Sequence, residues 1–473
     1  MLILKNREMM MSLSIADNND TNAFLQGQEK ISPFQRFFNK IVSGSYPILL
    51  AVILAMIWAN LLAASYHSFW HTPLSLSFGQ FSISKSLVHW IDEALMALFF
   101  FTVGLEIKRE ILVGGLSSPR QAALPIAAAV GGMLVPATIF YLFNNGTTEA
   151  TGWAIPMATD IAFSLAVLAF LKGKVPSGLR IFLTAFAIAD DLGAVMVIAL
   201  FYTKTIVWQN LIFSTLFFVA LGVANTLWIR KTLVYIVLGM GMWFTILGSG
   251  VHATIAGVIV ALFIPARGKY DTETFTGKVK AYLNRIVCEN DCGHSILMNQ
   301  QHLDAVQAIE IACSNVETPL QRLEHHLQSW VAYLVLPLFA LANSGLALRE
   351  LDVFTAIRHP VTLGVMFGLV FGKPLGILSF TYLCSKLLQA PLLQGIKWSH
   401  IAGVGLLGGI GFTMSLFISG LSFTSAQVLD FSKLGIIAGS VVSGIAGWIV
   451  LGFLGRSAQT PAFDKSIAPG ERL

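Results

Sequence analysis

Long apolar runs, separated by short polar or glycine-containing joints, occupy most of the chain between residues 46 and 455. A helix that crosses a bilayer needs about 20 mostly apolar residues. Runs of that kind centre on 46–66, 87–105, 121–143, 153–171, 178–202, 211–229, 232–247, 250–265, 330–346, 360–384, 401–421 and 433–455. Three of them, at 232–247, 250–265 and 330–346, are short, and only Gly248-Ser249-Gly250 separates the seventh from the eighth. The pattern predicts an all-α polytopic membrane protein with about twelve transmembrane helices.

The polar segments complete this division. Residues 1–33 lack the apolar core of a signal peptide and read as a disordered cytoplasmic tail. Spans one to eight follow in 34–265, and a cytoplasmic insert fills 266–329. Spans nine to twelve lie in 330–456, and 457–473 form a cytoplasmic C-terminal tail. Within the insert, "TPLQ" at Thr318–Gln321 predicts a capping box with proline at the first helical position, opening a short helix that leads into the ninth span.

Composition supports the membrane reading. Charged residues make up only 12% of the chain, about half the share in soluble domains, and mean hydropathy is +0.72. A net charge of +5 could point to nucleic acid, but the placement of the charges excludes it. Of 30 Lys and Arg, 24 fall in the tails and even-numbered loops, five in the odd-numbered loops, and one, Lys373, within a span. By the positive-inside rule both termini face the cytoplasm, in a bacterial-type inner membrane. Four cysteines, Cys288, Cys292, Cys313 and Cys384, are too few for a disulfide framework. In "CENDCGH", Cys288, Cys292 and His294 could ligate zinc, but the spacing is irregular and no second ligand pair follows, so a solvated insert with reduced thiols is the simpler reading.

The chemistry lies in the few ionisable groups inside the spans: Asp92, Glu93, Asp160, the doublet Asp190-Asp191, and Lys373, with His89 and His252 nearer the ends. Such groups are costly in a bilayer and usually line a cavity or pair with one another. A single Asp–Lys bridge that fixes packing would explain one pair. Three aspartates against one lysine leave negative charge that needs a cation or protons. Neighbouring helical positions point about 100° apart, so one member of the doublet can face a cavity while the other turns to a partner such as Lys373. A carboxylate away from water can hold a proton or a small hard cation, and the two compete for the same oxygens.

Backbone irregularities coincide with these residues. "WAIPMATDIAF" places Pro156 four residues before Asp160, and "GVGLLGGIGFTMS" holds five glycines in the eleventh span, among them Gly408, Gly409 and Gly411. Proline near a helix start and glycines at close contacts are ordinary taken singly. Interruptions in both halves of a chain, one of them carrying an aspartate, point to a midplane substrate site.

The stretches "ALMALFFFTVGLEIKRE", "ATGWAIPMATDIAF", "FAIADDLGA", "SGVHATIAGVIV", "LEHHLQSWVAYLVLPLFALANSG", "FGKPLGI" and "GIGFTMSLFI" run in this order from about residue 45 to 455. Together they resemble the NhaA-type sodium/proton antiporters. The resemblance implies a fold with inverted repeats and two broken, crossing helices, the fourth and eleventh spans. It makes Asp191 the cation-binding aspartate, Asp190 its accessory partner, Asp160 and Thr159 the groups at the fourth-span break, and Lys373 the lysine paired with the doublet. Asp160 would offset the facing positive helix ends and Lys373 the negative ones. A pH-sensing surface would comprise Glu106, Arg109, Glu110, His252, Glu324 and His325. Two departures stand out: Asp92 is added before the second-span acid Glu93, and the eighth loop is expanded between Ala266 and Thr318.

The implied activity is pH-regulated, electrogenic export of Na+ or Li+ in exchange for protons, with K+ a poor substrate, no cofactor, no structural metal and no enzymatic reaction. The bilayer is the remaining partner, and a homodimer is a further expectation of the resemblance. Two rival classes make different demands. An intramembrane aspartyl protease needs two carboxyls sharing a proton, and its Tyr-Asp and Gly-x-Gly-Asp signatures do not occur around these aspartates. A passive cation channel predicts currents uncoupled from pH.

Overall fold

The computed structural model describes residues 33–456 apart from 79–80, 172–174, 204–205, 269, 287–299, 350, 390–391 and 393–394. Residues 1–32 and 457–473, with Cys288, Cys292 and His294, lie outside the described residues. Helix dominates the rest. Among the described residues six helices are long and apolar enough to cross a membrane, or up to nine if each of three bent pairs is one span. The expected count of twelve is not reached on that measure. The physical reason is local: the helices at the expected seventh and eighth spans, Thr232–Leu247 and Thr254–Phe263, are short, and the helix over 319–343 begins with the polar turns "LQRLEHHLQ". Large apolar side chains such as Leu142, Leu200, Leu216, Met240 and Phe453 lie exposed, as they must where lipid is the solvent.

In chain order, α1 (Pro33–Leu61) turns through 118° at Leu62 into α2 (Ala63–Trp70), so the first span ends earlier than its apolar run. A hairpin of β1 (Pro73–Phe78) and β2 (Phe81–Ser86) follows, paired antiparallel with Pro73 opposite Ser86. Helix α3 (Leu87–Val113) contains a π turn at Ile91–Leu95, and α4 spans Pro119–Asn144. The fourth span consists of a 3₁₀ segment (Thr148–Met157) and α5 (Ile161–Phe170), bent by 40°. Next come α6 (Ser177–Phe201), α7 (Trp208–Thr226), α8 (Thr232–Leu247) and α9 (Thr254–Phe263).

The insert forms two packed helices, α10 (Thr272–Ile286) and α11 (Gln300–Val316), whose base is tied by Tyr270 N–H donating to Asn315 O. Helix α12 (319–343) opens with the Thr318–Gln321 capping box and proline at its first position, and contains a π turn at Val331–Val335. After α13 (Val353–Arg358), α14 (Pro360–Leu388) contains a third π turn at Gly368–Gly372. The eleventh span is α15 (Trp398–Gly408) and α16 (Phe412–Ser422), bent by 47°, and α17 (Ala426–Arg456) closes the fold.

Small residues bring the helices together. A Cβ on Gly131 of α4 would run into the Gly376 carbonyl oxygen of α14, and one on Gly376 into Gly131 O. With little hydrophobic drive between helices in lipid, such close backbone approach is what holds a bundle. The same pair carries the π turn that precedes Lys373 against α4, so packing here sets the position of a charged group.

Candidate functional site

The site is built where the two broken spans meet. Around Ala158–Asp160 the chain is extended, and Asp160 caps α5 by accepting from Ala162 N–H (3.1 Å) and Phe163 N–H (3.2 Å) through Oδ1. Opposite it, Gly409–Gly411 interrupts the eleventh span. A Cβ on Gly409 would collide with the Ser443 hydroxyl and Leu369 O, which explains glycine there. The breaks are bonded to each other. Asp160 N–H donates to Ile410 O (2.6 Å), the Thr159 hydroxyl to Gly408 O (2.8 Å), Ser164 to Leu407 O (2.8 Å) and Ser415 to Ile155 O (2.8 Å). Asp160 Oδ2 accepts from Thr413 N–H (3.1 Å) and the Thr413 hydroxyl (2.5 Å).

One carboxylate therefore bridges the N-termini of α5 and α16. Helix N-termini carry partial positive charge and unpaired N–H groups, so an anion between two of them offsets both. The bonds that close these broken ends come from inside the protein, as a membrane interior requires.

The doublet lies on α6, against these breaks. Lys373 Nζ reaches Asp190 Oδ1 at 3.0 Å and Oδ2 at 2.8 Å, with both side chains fully buried. Thr159 also contacts Asp190. The lysine ammonium is thus committed to Asp190. At the negative ends of the broken helices, the carbonyls of Ile155, Leu407 and Gly408 are met by hydroxyls instead.

Asp191 points elsewhere. It lines a cavity of about 60 Å³ with Thr102, Glu106 and Gln328, room for a few waters or one partly hydrated ion. Asp190, Asp160, Glu106 and Lys373 lie within electrostatic range of its carboxylate. Among the described residues no hydrogen-bond donor holds it, whereas Asp160 and Asp190 are both tied. Larger cavities exist, one of about 1070 Å³ beside Arg120 and Gln389, but no acidic residue lines it. Size does not select the site; charge does.

Of the six residues assigned to pH sensing, four come together. Arg109 bridges Glu324 (2.5 Å) and Glu110 (3.1 Å), Glu110 accepts from Gly115 N–H (2.8 Å), and Glu106 is buried beside them on the Asp191 cavity. On α12, outside the spans, burial pushes the Glu324 carboxyl above its ordinary range; nearby Glu110 adds to this and Arg109 opposes it. His325 is exposed on the same helix, edge-on to His326. His252 belongs to a separate cluster: its Nδ1 lies 3.4 Å from Glu93 Oε1 and its Nε2 3.0 Å from Tyr202 O, while Glu93 Oε2 accepts from Ala253 N–H (3.0 Å). The π turn at Ile91–Leu95 directs the adjacent Asp92 to another partner, Asn343 Nδ2 at 2.8 Å.

Ser164, Ser415, Thr413 and Ser440 also bond the breaks, and none of them was singled out from sequence. Thr413 follows the glycine run directly, and a hydroxyl just after a break is a recognisable capping signal. Ser440 sits on the unbroken α17 and has no such signal beyond being polar in an apolar run.

A family model described as Na+/H+ antiporter 1 matches residues 35–451. The Na+/H+ antiporter NhaA 2 of Syntrophotalea carbinolica is 46% identical over 422 residues, covering 89% of this chain and 96% of that protein. NhaA 1 of Saccharophagus degradans is 45% identical over 445 residues, covering 92% and 96%. NhaA of Escherichia coli O139:H28 is 44% identical over 420 residues, covering 87% and 96%.

Proposed function

Given that the chain belongs to the Na+/H+ antiporter 1 family, we propose that it exports Na+ or Li+ by exchanging them for protons at Asp191. It is a multi-pass membrane transporter of Na+ and H+, not an enzyme. One observation carries the finer reading. Among three buried aspartates, Asp191 alone faces a cavity without a bound donor, while Lys373 neutralises Asp190 and two helix ends occupy Asp160.

The chemistry follows from that division. Facing the cytoplasm, the Asp191 oxygens bind the cation and release protons, with Asp160 close enough to stabilise the added charge. Rocking of the elements that carry the breaks then turns the site outward, where the cation leaves and protons return. Discontinuous helices whose ends surround the ion are the established pattern in such transporters, the NhaA fold among them. Both termini face the cytoplasm in this reading, which the Lys and Arg distribution supports. If more protons than cations move per cycle, transport is electrogenic. Glu106, between the cavity and the Arg109–Glu324 pair, links the site to the cytoplasmic network and gives pH regulation a route. Everted membrane vesicles test the reading: Na+ and Li+ should each release protons from the loaded lumen, with K+ ineffective. Cation flux that leaves lumenal pH unchanged would favour a channel.

A further inference from the structure

We propose that Ser440 of α17 is a positioning residue for the ion site: its hydroxyl oxygen caps α16 from outside the broken pair and leaves the Asp160 carboxylate free to bridge the two breaks. This rests on the reading that the ion is bound beside Asp160 and Asp191.

Among the N–H groups that open α16 are those of Gly411, Phe412 and Thr413, all on buried residues. A buried N–H left unpaired is destabilising, so each must find an acceptor. Asp160 Oδ2 takes Thr413 N–H. Ser440 Oγ accepts the other two, from Gly411 N at 3.3 Å and Phe412 N at 3.2 Å. Asp160 has no acceptor capacity to replace it. Its two oxygens offer about four lone-pair sites. These already meet the Ala162 and Phe163 N–H groups and the Thr413 N–H and hydroxyl.

Without the serine oxygen, the end of α16 must shift toward Asp160 or leave two donors unpaired. Either change draws on the one carboxylate that holds both breaks in register beside Asp191. The same face of α17 touches the other half of the site. One turn on, Ser443 Oγ donates to Leu369 O (3.4 Å) in the π turn just before Lys373. The unbroken α17 thus braces the elements carrying Asp160 and the lysine of the Asp190 pair.

A merely structural role predicts lower stability without a selective change in ion binding. Ser432 provides the comparison, because it lies on the same helix and bonds Ser419 of α16 at 2.8 Å, away from the break. In everted vesicles carrying the full chain, Na+-driven proton release gives KM for Na+ and maximal rate. Ser440→Ala should raise KM at least about fivefold, the scale of one hydrogen bond where two donors lose their acceptor, with maximal rate within about twofold. Ser440→Thr should restore the KM, and Ser432→Ala should leave it unchanged. If Ser440→Ala does not accumulate in the membrane, Ser440→Cys, with its weaker acceptor, should show the same displacement of KM. An unchanged KM in Ser440→Ala or Ser440→Cys, or an equal rise in Ser432→Ala, overturns the proposal. Failure of the underlying reading is distinct: Asp191→Asn would then keep Na+-driven proton release with an unaltered KM.

Discussion

Lys373 and Asp190 form a fully buried ion pair, with Nζ within 3.0 Å of both carboxylate oxygens. This pairing takes one acid of the doublet out of play and leaves Asp191, one residue on, facing the cavity. The arrangement follows from the 100° step of a helix together with a π turn in α14 that places Lys373 against α6.

Removing one partner of a buried pair leaves an uncompensated charge, at a cost of about 3–5 kcal/mol. Lys373→Ala should therefore sharply lower the melting temperature in detergent. The double variant Lys373→Met with Asp190→Asn should recover much of that loss. A double variant no more stable than Lys373→Ala would contradict the pairing.

Asp160→Asn replaces an acceptor-only group by one in which one oxygen becomes a donor. At least one N–H at the start of α5 or α16 then loses its acceptor, at about 1–3 kcal/mol, and the two positive helix ends lose their counter-charge. Both stability and Na+-driven proton release should fall. A variant with unaltered melting temperature would show that the bridge does not hold the breaks.

Gly376→Ala forces a methyl group onto Gly131 O, and overpacking of this kind costs about 1–3 kcal/mol. Its melting temperature should fall below that of Gly277→Ala, where an added Cβ meets nothing. Equal stability would remove the α4–α14 contact as a determinant of the fold.

Stability depends on pH through Glu324. Folding raises its carboxyl, chiefly by burial. Its stabilising contribution is thus complete below the unfolded carboxylate range and is lost as pH rises through the raised value. Glu324→Gln should flatten this part of the stability-versus-pH curve, read by thermal melts at a series of pH values. An unchanged slope would place the titrating group elsewhere.

Much of this site was legible in the chain because charge in an apolar run has few explanations. Asp160, Asp190, Asp191 and Lys373 stand out on that basis, and Pro156 and the 408–411 glycines mark both breaks. The capping box at Thr318 was equally readable, since it depends on local chemistry. The three π turns left no trace, because an apolar run shows no change of period when one residue is inserted. Ser440 was invisible for a related reason: its partners are backbone N–H groups 28 and 29 residues away. The β1–β2 hairpin carries its own signal, since "PLSLSF" and "FSISKS" alternate with period two, but each strand is short beside the long apolar runs that flank the pair.

The most direct measurement is Na+-driven proton release from everted vesicles carrying Asp191→Asn, beside the unaltered protein, across the neutral pH range. The variant should insert normally and release no protons at any Na+ concentration. Proton release with an unaltered KM for Na+ would show that the cation and the protons are exchanged at some other group.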